Sequence, residues 1–83
     1  MNVRHLVTMA NEIGTFFVAE AGEEAAPREI AQHITRFWDP RMRSQIIAHA
    51  HAGGEGLSTA AGAAVLLLAP VAAPAARPGS GLG

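Results

Sequence analysis

The 83-residue chain contains no cysteine and no lysine; its six basic residues are all arginine and stand against seven acids, for a formal charge of −1. Without cysteine, disulfides, thiolate zinc sites, cysteine-ligated iron–sulfur clusters and cysteine nucleophiles are excluded together. A charge so close to zero gives no global field to gather nucleic acid or anionic lipid. Convincing strands are missing as well, and with them any glycine-rich phosphate loop in its usual strand-to-helix setting. No HExxH pair and no Ser, His and acid trio in a recognisable context is present, so the chain carries no motif for intrinsic catalysis. What this length leaves is one small domain, whose unstapled core supplies only about 3 to 5 kcal/mol. Such a chain is either a compact helical domain or a piece that finishes folding on a partner.

Two further absences concern location. Arg4, His5, Asn11 and Glu12 interrupt the apolar residues before a signal-peptide core could form, so no targeting segment is expected at the front. From Leu57 to Ala76 no side chain is charged, close to the ~20 residues a membrane span requires. Pro70 and Pro74 break that run, however, and its strongly apolar members are only Leu57, Val65, Leu66, Leu67, Leu68 and Val71. The alanines and glycines between them contribute little to insertion. The sequence therefore predicts no membrane span, and the lack of cysteine fits a reducing cytoplasm.

What is present is amphipathic order in the first two thirds. Val3, Leu6, Val7, Ala10, Ile13 and Phe17 recur at three and four residues, which places them on one helical stripe that Met9 and Phe16 widen. Asn2 is suited to cap this helix, and Gly14 suits a close approach by a neighbouring helix. The periodicity lapses over residues 20–26 (EAGEEAA), which reads as a connecting loop. Pro27 opens a second helix at a position where its missing N–H is not needed, with Ile30, Ile34, Phe37 and Trp38 on one face. Pro40 pushes Asp39 out of the helical region. Asp39 is thus placed to cap a third helix by accepting from the N–H of Arg41 or Met42, with a one-residue corner between the helices. Met42, Ile46, Ile47 and Ala50 face the core of that helix, and Gly53-Gly54 ends it near Ala52.

The fold class expected is all-α: a small three-helix bundle over residues 1–58, followed by a low-complexity Ala/Pro/Gly-rich segment over 59–83. A short fourth helix fits residues 58–69, but its alanine and leucine run has little polar character on any face, and this end of the chain is expected to add no core. From Pro70 onward the composition is that of a disordered tail.

Few side chains are placed to carry chemistry. His33, His49 and His51 invite a metal reading, but His49 and His51 lie two apart on a helix and point in different directions; solvated or hydrogen-bonded histidines are the simpler account. Gly53-Gly54-Glu55-Gly56 follows a helix, lacks a lysine and resembles a flexible joint. Glu20, Glu23, Glu24 and Glu29 form a solvated face or loop. The informative stretch is Arg36-Phe37-Trp38-Asp39-Pro40-Arg41-Met42-Arg43, which gathers half of the arginines and the only tryptophan around a proline corner. Arg and Trp are favoured at binding hot spots. The simpler alternative is that Phe37 and Trp38 fill the core while the arginines are solvated. Trp38 and Arg43 occupy the two positions that pack as a hydrophobic staple, so the guanidinium could lie over the indole. Three arginines without a wider basic face do not make a nucleic-acid site.

Three blocks, Met9-Ala10-Asn11-Glu12-Ile13-Gly14-Thr15-Phe16-Phe17, then Ile30 to Arg43 (IAQHITRFWDPRMR), then Gly53-Gly54-Glu55-Gly56-Leu57, make the chain similar to the delta subunit of cytoplasmic NAD-dependent formate dehydrogenases. The resemblance covers roughly residues 5 to 58, and FWDPRMR is its specific part. Past Leu57 the sequence departs from the family pattern and turns alanine-rich. The resemblance implies a cytoplasmic, non-catalytic accessory subunit. It binds no cofactor of its own, within a complex whose other subunits hold a molybdenum or tungsten pterin, iron–sulfur clusters, FMN and the NAD site. It further implies that the chain stabilises the complex or assists its assembly by docking on the large pterin-bearing subunit. The corner at Trp38, Asp39 and Pro40 would present Arg41 and Arg43 to acidic or carbonyl groups there. The alternative from another class is a small helical regulatory module that binds nucleic acid or another protein.

Overall fold

The computed structural model describes residues 2–70, and these form an all-α architecture of three helices with no strand. Helix α1 runs Val3–Phe37, α2 runs Pro40–His51 and α3 runs Thr59–Leu67. Asn2 caps α1 as expected, its side chain accepting from the Arg4 N–H at 2.8 Å. The connection expected over residues 20–26 is present but shrinks to a single residue. Helical geometry continues through the glutamates and alanines on both sides and fails only at Gly22, with φ 85° and ψ 161°. Glu and Ala are strong helix formers, which explains why loss of apolar periodicity did not mean loss of helix. A backbone at those angles is accessible essentially only to glycine, and this one residue folds α1 into a hairpin of two arms, residues 3–21 and 23–37. The arms touch through Phe17 and His33, whose ring centroids lie 6.0 Å apart.

The core is drawn from every element. Leu6 and Ala10 come from the first arm, Ala26, Ile30 and Ile34 from the second, Ile46 from α2, and Ala61, Ala64 and Val65 from α3, with Trp38 and Leu68 closing it at the helix ends. Each fully buried Leu, Ile or Val is worth about 1.5 to 3 kcal/mol relative to exposure. The expectation that residues beyond 58 add no core is therefore corrected. Ala61, Ala64 and Val65 recur at three and one, a stripe too short and too small-chained to register as amphipathic against an alanine background. Ser58 caps α3 by accepting from the Ala61 N–H at 3.2 Å, and the helix stops short of Pro70. The tail reading for residues 71–83 lies outside the described residues.

Gly14 sits where the second arm and α3 meet. It is buried, but a Cβ there would lie 3.5 Å from Ser58 Oγ and 3.6 Å from Ile30 Cδ1, ordinary contact distances. The close approach read from sequence is thus real in place but does not demand glycine.

Candidate interaction surface

The corner between α1 and α2 takes two residues rather than one. Trp38 ends α1, its N–H donating to Ile34 O at 2.9 Å, and Asp39 begins α2. The Asp39 carboxylate accepts from the Met42 N–H at 2.9 Å, one of the two partners expected, and Pro40 occupies the first turn.

Within Arg36-Phe37-Trp38-Asp39-Pro40-Arg41-Met42-Arg43 the structure separates an inner set from an outer one. Trp38 is only 5% exposed and belongs to the core. Met42 is half-buried against that core. Arg43 is half-buried too, and its Nη1 donates to Trp38 O at 2.6 Å and, more weakly, to Thr35 O at 3.5 Å. These are the carbonyls at the end of α1, where a cation also meets the negative end of the helix dipole. Arg43, expected to face a partner, is thus anchored within its own corner, and the guanidinium meets the tryptophan through the carbonyl oxygen. The outer set is Arg36, Phe37 and Arg41, all exposed, with Phe37 at 66%. Asp39 and Pro40 are exposed while shaping the turn.

Phe37 does not stand alone. His33 lies against it with ring centroids 4.7 Å apart and ring planes tilted by 43°, Phe17 meets His33, and Phe16 meets Phe17 edge-on at 5.0 Å. An aromatic row therefore crosses both arms of α1, and its two ends, Phe16 at 57% and Phe37 at 66%, are open to solvent. His33 is part of this row. His49 Nε2 lies 2.7 Å from Glu55 O, and His51 is exposed. Among the described residues no group of three or more His, Asp or Glu side chains comes together to hold a metal, and no helix is long and apolar enough to cross a membrane.

The glycine segment after α2 is pinned rather than loose. Gly54 N–H donates to His49 O at 2.9 Å and Gly53 N–H to Ala50 O at 3.2 Å, the paired bonds of a Schellman ending. Asn11, on the first arm of α1, then holds the segment at both poles of its amide: Nδ2 donates to Gly56 O at 2.8 Å and Oδ1 accepts from the Ser58 N–H at 2.8 Å. The sequence places a lone amide beside the apolar stripe of the first helix, but nothing local identifies its partners 45 and 47 residues away.

The profile of one family, described as NADH-dependant formate dehydrogenase delta subunit FdsD, matches residues 5–65. That span takes in both arms of α1, the corner, α2, the pinned glycine segment and most of α3. The chain belongs to the FdsD family. No curated relative and no solved structure matches it. As an FdsD-family member the chain is a delta subunit of a formate dehydrogenase complex, and its partners are other subunits of that complex. The match reaches Val65 and so extends into α3, past residue 58, where the sequence reading ended the helical domain.

Proposed function

We propose that the chain is a non-catalytic accessory subunit that stabilises the formate dehydrogenase complex, or assists its assembly, by docking on the large pterin-bearing subunit. The observation that carries this reading is the corner: Phe37 stands two-thirds exposed between Arg36 and Arg41, while Trp38, Asp39 and Arg43 hold the backbone beneath it. An exposed aromatic with flanking arginines on a fixed backbone is the composition of a binding anchor, and a fixed backbone lowers the ordering entropy lost on association. Under this reading the molybdenum or tungsten pterin, iron–sulfur clusters, FMN and NAD site reside in the other subunits. The chain has no cysteine with which to ligate a cluster. Its place of action is the cytoplasm, with the rest of the complex.

The test is co-purification of the tagged full chain with formate dehydrogenase subunits from cells expressing the complex. Wild type is expected to bring down the large subunit, and Phe37→Ala/Arg41→Ala to stay folded and lose it. Retention of the large subunit at wild-type yield by the folded double variant would rule out the corner as the docking surface.

A further inference from the structure

Helix α3 presents an apolar side to solvent. Its sequence, TAAGAAVLL, carries no charged residue, and Ala63, Leu66 and Leu67 face outward, the two leucines at 60% and 61% exposure. A helix apolar on all sides is ordinarily covered on all sides. Beside Leu67 runs an open groove of about 590 Å³, lined by Arg28, Ala31, Gln32, Thr35, Arg36 and Leu67. Among the described residues its chemistry is one-signed: two arginines, an amide, a hydroxyl and apolar surface, with no carboxylate in the lining. Arg28 and Arg36 lie eight residues apart on the second arm of α1, a rise of ~12 Å. Arg36 also belongs to the outer set of the corner, so groove and corner form one continuous surface.

We infer that this groove is the seat of an acidic amphipathic helix of a partner subunit, a second contact beyond the corner. The charge pattern sets the partner's form. Two carboxylates about two helical turns apart meet Arg28 and Arg36, since Asp or Glu opposite Arg forms the strongest planar pairing available to a guanidinium. An aliphatic side chain between them covers Leu67 and Ala31. The apolar element favours a polypeptide over a nucleic-acid backbone, which would offer the arginines phosphates but leave Leu67 without a cover. The inference rests on the reading of the chain as a docked subunit, and it adds where a second element of the complex sits and what chemistry it carries.

The absence of native cysteine makes a direct test available. Thr35→Cys in the full chain, labelled with a benzophenone maleimide and irradiated in the purified complex, is expected to cross-link to one segment of another subunit. Mass spectrometry of the product should show that segment to hold two acidic residues seven or eight positions apart, with an aliphatic residue between. In parallel, Arg28→Glu/Arg36→Glu is expected to weaken recovery of the complex about tenfold or more, with helical content unchanged, and added salt should weaken the wild-type contact in the same direction. If wild type assembles and the cross-link lands on a second copy of this chain, on nucleic acid or on a segment without the acids, the groove assignment is overturned while the docking reading stands. Unchanged recovery of the charge-reversed variant has the same meaning. If wild type itself brings down no subunit, both fail.

Discussion

The chain changes direction at Gly22 and again at Trp38–Asp39, and the two reversals are held by different physics. At Gly22 a single residue adopts φ 85° and ψ 161°, a Cβ built there would meet nothing within 4 Å, and helix continues on either side. The turn itself has one backbone preference to set it, while the arms it joins pack on each other away from it. At the corner four independent features agree: Pro40 bars the helix from continuing, the Asp39 carboxylate caps α2, Trp38 is buried, and Arg43 donates to the carbonyl that the turn frees. A reversal held by several groups keeps a fixed shape under load, and this one carries the exposed Phe37 and Arg41. The difference supports the proposed placement of recognition on the corner, a turn that several groups determine together.

That comparison can be broken by substitution. The largest effect is expected for Trp38→Ala, at about 3 to 5 kcal/mol, which equals the whole stability a core of this size supplies; loss of the cooperative thermal transition in circular dichroism checks it. Gly22→Ala should come next, at about 1 to 3 kcal/mol of backbone strain, although it removes no contact. An unshifted melting temperature there would show that the first turn is also held by more than its glycine. Asn11→Ala, which strips two hydrogen bonds from the 56–58 segment, is expected to cost about 1 to 2 kcal/mol. Hydrogen exchange at the Ser58 amide should rise with it, since that N–H loses its acceptor. Asp39→Ala removes one cap for about 1 kcal/mol, roughly 4 to 8 °C in a domain this small, and should leave the corner in place because Pro40 and Trp38 remain. The smallest change has the opposite sign. Gly14→Ala should raise the melting temperature, because a methyl group fits at ordinary contact distance and helix propensity gains up to about 1 kcal/mol.

The parts of this fold that were legible in the sequence are those written in local chemistry. Asn2 and Asp39 as caps, Pro40 as the start of α2, and the stripe of Leu6 and Ala10 all follow from spacing and side-chain type within one or two turns. The connection read over residues 20–26 was right in place but too long, because amphipathic period measures burial and residues 20–25 are exposed, with helix on either side of Gly22. The short helix over 58–69 was legible, as α3 shows, but its burial was not: at Ala61 and Ala64 burial comes from close approach of small side chains and leaves no hydrophobic pattern to detect. The outer and inner members of the 36–43 block could not be told apart, since Arg43 and Arg41 differ only in what a three-dimensional corner puts beside them. Asn11 lies beside the apolar stripe, but its partners are 45 and 47 residues away, so nothing local marks its role.

The docking proposed above sets the outward face of the corner against the large subunit of formate dehydrogenase. Its most direct measurement is the affinity of the purified full chain for that subunit, compared between wild type and Phe37→Ala at matched helical content. Loss of a central aromatic anchor is worth about 2 kcal/mol or more, so dissociation should become roughly thirtyfold weaker or worse. An unchanged affinity in the folded variant would contradict the account.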